Sequence, residues 1–113
     1  MKSDSVARRQ PTLTAAILSR DDAEGMEQSL RSIAPVADEV LVVEAGMGSE
    51  GELQRATATQ YGAKLLTLAW RDDFSAARNH AMQQVTSDWV LWLDAGETLD
   101  RDDARALRES LAA

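Results

Sequence analysis

The chain has 113 residues, no cysteine and a formal net charge of -7. That length suits one domain with one core, and the missing thiols exclude disulfides and thiolate metal sites. The acidic balance makes nucleic acid a poor partner, because phosphate binding needs clustered Lys and Arg. No apolar run reaches the length of a membrane span and the N-terminus has no signal-peptide core, so the expectation is a soluble cytoplasmic protein with no membrane span.

Residues 1–11 are polar and charged and close on Pro11, which reads as a mobile arm ahead of a domain over 12–113. Leu13 to Leu18 forms a first short strand running into Ser19-Arg20-Asp21-Asp22. From Glu24 to Ala34, the apolar positions Met26, Leu30, Ile33 and Ala34 recur at helical spacing, and Pro35 prevents simple continuation. Asp38 to Glu44 is a second buried strand that ends, like the first, in acid. The loop after it carries Gly46, Gly48 and Gly51, a spacing that does not match the phosphate-binding fingerprint and is better explained by positive φ.

Ser49 and Glu52 have capping-box spacing and predict a helix to about Tyr61, with Gly62 as its stop. Lys64 to Leu68 is the third strand. A further helix carries Phe74, Ala77, Ala81, Met82 and Val85 as its buried stripe, with His80 as a lone surface or half-buried histidine. Trp89-Val90-Leu91-Trp92-Leu93 is a continuous apolar run and predicts a strand buried on both faces, both tryptophans in the core. It stops at Asp94-Ala95-Gly96-Glu97. A last helix follows, capped by Asp100, with Ala104, Leu107 and Leu111 inward.

The order β-α-β-α-β-α-β-α predicts a parallel sheet with right-handed crossovers and helices on both faces. Strand tips of such a sheet lie along one edge, where ligands bind. Asp21, Asp22, Glu44 and Asp94 all stand at tips, so they are candidates to converge on one crevice. Carboxylates there accept hydrogen bonds from ribose or base donors, or ligate Mg²⁺ or Mn²⁺. The plainer alternative is that each acid caps the helix that follows.

Trp70-Arg71-Asp72-Asp73-Phe74-Ser75-Ala76-Ala77-Arg78-Asn79 resembles the W-x-x-D-F-S-x-A-R-N signature of family-2 glycosyltransferases, inverting enzymes with a GT-A fold, in a subgroup often linked to tetratricopeptide repeats. Val36 to Val43 is similar to the family's second strand, and Trp89 to Glu97 to its fourth strand and D-x-D motif. The resemblance spans Leu13 to Leu99. It implies an α/β fold: a three-layer, Rossmann-like parallel sheet in strand order 3-2-1-4, forming the GT-A nucleotide-binding half. It also implies a nucleotide-sugar donor, most commonly UDP-linked, held by Ser19, Glu44, Asp73, Arg78 and Asp94. Glu44 takes the place of an Asp that holds the nucleoside.

Gly96 stands where the family has the second, metal-binding Asp of D-x-D, so a divalent metal (Mn or Mg) has Asp94 and, as a substitute, Glu97 as its ligands. Asp21-Asp22 replaces the family's Asn-Glu pair. The chain ends one helix after the motif, which leaves no candidate for the base that activates the acceptor. The expectation is therefore a donor-binding half, incomplete for transfer on its own and needing a C-terminal half or a partner.

The alternative is a non-catalytic module of the same fold acting through self-association or a partner protein. Order 3-2-1-4 leaves the Trp-rich strand at an edge, an apolar liability that predicts a homodimer through that edge or through the last helix. A phosphorylation-receiver fold is excluded: the third strand ends Leu68-Ala69-Trp70 with no phospho-accepting Asp, and the only lysines are Lys2 and Lys64.

Overall fold

The computed structural model describes residues 10–45, 49–68 and 74–112. The arm over residues 1–9, the glycines at 46 and 48, Trp70 to Asp73 and the side chain of Phe74 lie outside the described residues. Four parallel strands, β1 (Leu13–Ser19), β2 (Glu39–Ala45), β3 (Lys64–Leu68) and β4 (Trp89–Asp94), form one sheet in the order β3-β2-β1-β4. The connecting helices are α1 (Ala23–Ile33), α2 (Gly51–Gln60) and α3 (Phe74–Met82), and α4 (Arg101–Ala112) follows β4. The fold class is the one expected from the alternation of elements, and the strand order is the one the family resemblance implies.

Alternating side chains divide the core between the two faces of the sheet, as strand geometry requires. Ala15, Ile17, Val40, Val42 and Leu93 pack with Met26, Leu30 and Ile33 of α1 and Ala58 of α2. On the other face Leu18, Leu41 and Val43 pack with Ala81 of α3, and Val85 and Trp92 close against them. β1 is buried at every position because β2 and β4 flank it on either side.

Three local expectations need correction. β4 is not buried on both faces: it is an edge strand, half-buried along most of its length, and Trp89 is 52% exposed rather than core. A strand with one neighbour has no second neighbour to cover its outer flank. Met82, placed in the inward stripe of α3, is exposed because the helix ends there. The Ser49–Glu52 capping box does not form. The cap residue of α2 is Glu50, without a side-chain cap bond, because its carboxylate reaches across to the Ala23 N–H at 2.9 Å. Asp100 does cap α4, accepting from Asp103 N–H at 2.7 Å, and Ala104 is buried with Leu107 and Leu111 half-buried.

At the N-terminal edge of the sheet Asp38 holds two elements together. It accepts from Leu13 N–H at 2.7 Å and takes both guanidinium nitrogens of Arg108 at 2.9 and 3.3 Å, tying α4 to the start of β1. The Arg108 hydrogen bonds first, and the Leu13 N–H second, hold the Asp38 carboxyl below its ordinary value. A depressed folded-state pKa means stabilisation present above the unfolded value and lost as pH falls through the folded one. Both side chains are partly exposed, so the pair contributes roughly 1 kcal/mol or less. Asp38→Asn is expected to lower stability at pH 7 by that amount in urea titrations, with the difference from the native chain starting to shrink near pH 4 and gone only once the pH is below the depressed folded-state value.

Candidate functional site

In an open α/β sheet, the ligand crevice lies beyond the strand ends where consecutive connections leave in opposite directions. Here that point lies between β1 and β4, since β2 lies on one side of β1 and β4 on the other. Two contiguous pockets open there. One, of about 100 Å³, is lined by Leu18, Ala77, Arg78, Trp92, Leu93, Asp94 and Glu97. The other, of about 210 Å³, is lined by Leu18, Arg20, Asp22, Asp94 and Ala95. Leu18 and Asp94, register partners across the β1–β4 pair, belong to both.

Arg78 lies over the Trp92 ring, 5.1 Å from its centroid, so the indole face orients the guanidinium beside the carboxylates. Glu97 folds back on its own turn: its Oε1 accepts from Asp94 N–H at 2.6 Å, and its N–H donates to the Asp94 carbonyl at 2.9 Å. Mg²⁺ and Mn²⁺ take oxygen ligands and are commonly held by one or two carboxylates completed by substrate phosphate and water. Asp94 and Glu97 are both exposed and bring two carboxylates to the mouth of the smaller pocket. Among the described residues no group of three or more acidic or imidazole side chains is arranged to hold a metal.

The tip acids do not converge. Ser19 and Glu44 are register partners on the face that α1 and α2 cover, whereas Asp94 shares the parity of Trp92 and faces α3. Asp22 caps α1, accepting from Gly25 N–H at 2.9 Å. Asp21, at φ 53°, accepts from Glu50 N–H at 2.6 Å. Ser19 is fully buried and donates to Gln54 Oε1, the atom that also accepts from Asp22 N–H at 3.3 Å. These groups build the loop between β1 and α1. Asp73 lies outside the described residues, and His80 is exposed on α3.

Glu44 is different. It is 1% exposed, neither carboxylate oxygen has a hydrogen-bond partner among the described residues, and Arg55 Nη2 stands 3.8 Å away. Buried acceptors without partners cost free energy, so a fold selected for stability alone does not keep one. Reading the sequence alone missed Arg20 and Trp92 as lining residues. The signal for Arg20 was its place immediately after β1. Trp92 could be assigned only once α3 was known to bring Arg78 onto its face.

The profile of Glycosyl transferase family 2 matches residues 15–113. The chain belongs to that family. It is 40% identical over 99 residues to a TPR repeat-containing protein of Synechococcus elongatus, covering 88% of this chain and 24% of that protein. An uncharacterized glycosyltransferase of Rickettsia felis is 27% identical over 80% of this chain and 30% of its own length. The SPbeta prophage-derived glycosyltransferase SunS of Bacillus subtilis is 22% identical over 82% of this chain and 22% of its own. The family-2 domain thus spans about a quarter of the length of these relatives. The resemblance carried by Asp73 to Asn79 and by the Trp89–Glu97 run is borne out, including its link to repeat-containing relatives. Among the described residues no helix is long and apolar enough to cross a membrane.

Replacing a buried, poorly paired charge by an apolar group of similar volume is often neutral or stabilising by about 1–4 kcal/mol. Glu44→Met is therefore expected to raise the denaturation midpoint of the family-2 domain in urea. A loss as large as a core truncation, roughly 2–5 kcal/mol, would show that the carboxylate supports the fold.

Proposed function

We propose that this chain is the donor-binding half of a glycosyltransferase and holds a nucleotide-diphosphate sugar, UDP-linked as is commonest in the family, in the crevice between β1 and β4. The observation that carries this reading is the meeting of Arg78, Asp94 and Glu97 in one small cleft at that point. In it Asp94 and Glu97 are the protein ligands of a divalent cation, which when bound neutralises the diphosphate. Arg78, set by Trp92, places its positive charge against the same phosphates. Glu44, at the tip of β2 on the opposite face of the sheet from Asp94, is assigned with Asp73 to the nucleoside by the family resemblance. A carboxylate with two unpartnered oxygens gains its missing hydrogen bonds from ligand N–H or O–H groups. Ser19 acts through Gln54, holding the β1–α1 loop beside the donor.

A thermal-shift titration with UDP and UDP-sugars, with and without Mn²⁺, tests the assignment. At about a hundred times the dissociation constant a ligand stabilises the fold by roughly 2.7 kcal/mol. The expected result is a Mn²⁺-dependent shift that Asp94→Ala and Arg78→Ala abolish. Both side chains are exposed, so the ligand-free variants should stay within about 0.5 kcal/mol of the native chain. No shift with any nucleotide removes the donor-binding reading.

A second reading is favoured by the open edge of β4, where Trp89 is half-exposed beside backbone groups with no neighbouring strand among the described residues. Such an edge is a template for pairing. A homodimer through β4 or α4 is the form this module takes when it acts through association. Sedimentation velocity should then give a dimer that Trp89→Lys dissociates; a monomer at high concentration excludes this arrangement.

A further inference from the structure

The turn that carries Asp94 and Glu97 is fastened to α1 by one buried hydroxyl. Ser29, in the middle of that helix, is fully buried. Its Oγ lies 2.6 Å from the Glu97 carbonyl, to which it donates, and it accepts from Gly96 N–H at 3.0 Å. The Asp94 carbonyl is a third, longer neighbour at 3.4 Å. Gly96 N–H is shared with the Gly25 carbonyl, 2.9 Å away on the same helix. One turn further along α1, Ser32 accepts from Leu99 N–H at 3.3 Å and donates to the Ser29 carbonyl at 2.9 Å.

Ordinarily a serine inside a helix spends its hydroxyl on its own backbone. Ser32 does so in part. Ser29 spends both its donor and its acceptor on a segment 67–68 residues away. The glycines make this approach possible. A Cβ at Gly25 would collide with the Asp22 carboxylate and lie 3.0 Å from Gly96 N. Gly96 itself has φ +100°, a conformation that side-chain-bearing residues adopt only under strain.

We propose that Ser29 is a positioning residue for the Asp94–Glu97 carboxylate pair. This rests on the donor-binding reading for its purpose, though not for its geometry. With Ser29 in place, the carbonyl and N–H groups of the turn are fixed, and the Glu97 carboxylate is folded onto Asp94 N–H. The backbone that carries both acids, and the Glu97 carboxylate itself, are then fixed before any ligand arrives, which is what preorganised binding requires. Gly96 is accordingly part of this device. An aspartate there (Gly96→Asp) would have to adopt the positive φ of this turn and so strain it.

The test compares Ser29→Ala and Ser29→Thr with Ser32→Ala, which removes a bond of the same clasp beyond the acidic pair. The probe is MnCl₂ with UDP, bound Mn²⁺ being followed by electron paramagnetic resonance. Expected are at least a tenfold loss of affinity in Ser29→Ala, recovery towards the native value in Ser29→Thr, and less than a twofold loss in Ser32→Ala. Equal losses in Ser29→Ala and Ser32→Ala, or native affinity in Ser29→Ala, overturn the proposal.

Amide hydrogen exchange and the carboxyl chemical shifts of Asp94 and Glu97 are measured in parallel without ligand. Should the native chain bind no Mn²⁺–UDP, the donor reading fails and these measurements alone decide. Faster Gly96 exchange and shifted Asp94 and Glu97 signals in Ser29→Ala support the positioning role, and unchanged values refute it.

Discussion

The structure depends on the position of β1. Its seven residues are buried throughout because parallel strands pair along both of its edges, β2 on one side and β4 on the other. Leaving one way and returning the other forces the crossover helices onto opposite faces of the sheet. It also prevents those helices from closing over the end of β1. A crevice results whatever residues stand there, and the chain has furnished it with Arg20, Arg78, Asp94 and Glu97.

The polar groups near that crevice fall into two sets. Asp21, Asp22, Gln54, Ser19 and Glu50 are consumed in hydrogen bonds that link the β1–α1 loop to the start of α2. Asp94, Arg78 and the second oxygen of Glu97 lie against open space, and Glu44 is buried without the bonds a carboxylate needs. The first set is architecture and the second is what remains for a ligand. Charge alone does not separate them, because all the acids involved stand at strand tips or helix starts.

Much of this was legible beforehand. Apolar runs of strand length, helical spacing of Met26, Leu30 and Ile33, and the breaks at Pro35 and Gly62 sufficed for the element order. Alternation of elements then gave a parallel sheet with helices on both faces, and the family resemblance gave its strand order. The motif from Asp73 to Asn79 sufficed for the family. What misled were features whose outcome lies in distant partners. Trp89 looked like core because its run is apolar, yet β4 is an edge strand and, among the described residues, no second strand covers its outer flank. Ser49 and Glu52 had the spacing of a cap, but Glu50 beside them found a better partner in Ala23, 27 residues back.

The sequence by itself therefore determined the sheet, its order and the family, because those follow from periodicity and from a contiguous motif. Only the tertiary structure decided which acids face one another. Ser19 and Glu44 sit on one face of the sheet and Asp94 on the other, a consequence of strand register. Likewise Ser29 reads as an unremarkable helical serine until α1 is laid against the Asp94–Glu97 turn. Hydrogen bonds between groups more than sixty residues apart leave no periodic trace in the chain, so packing alone assigns them.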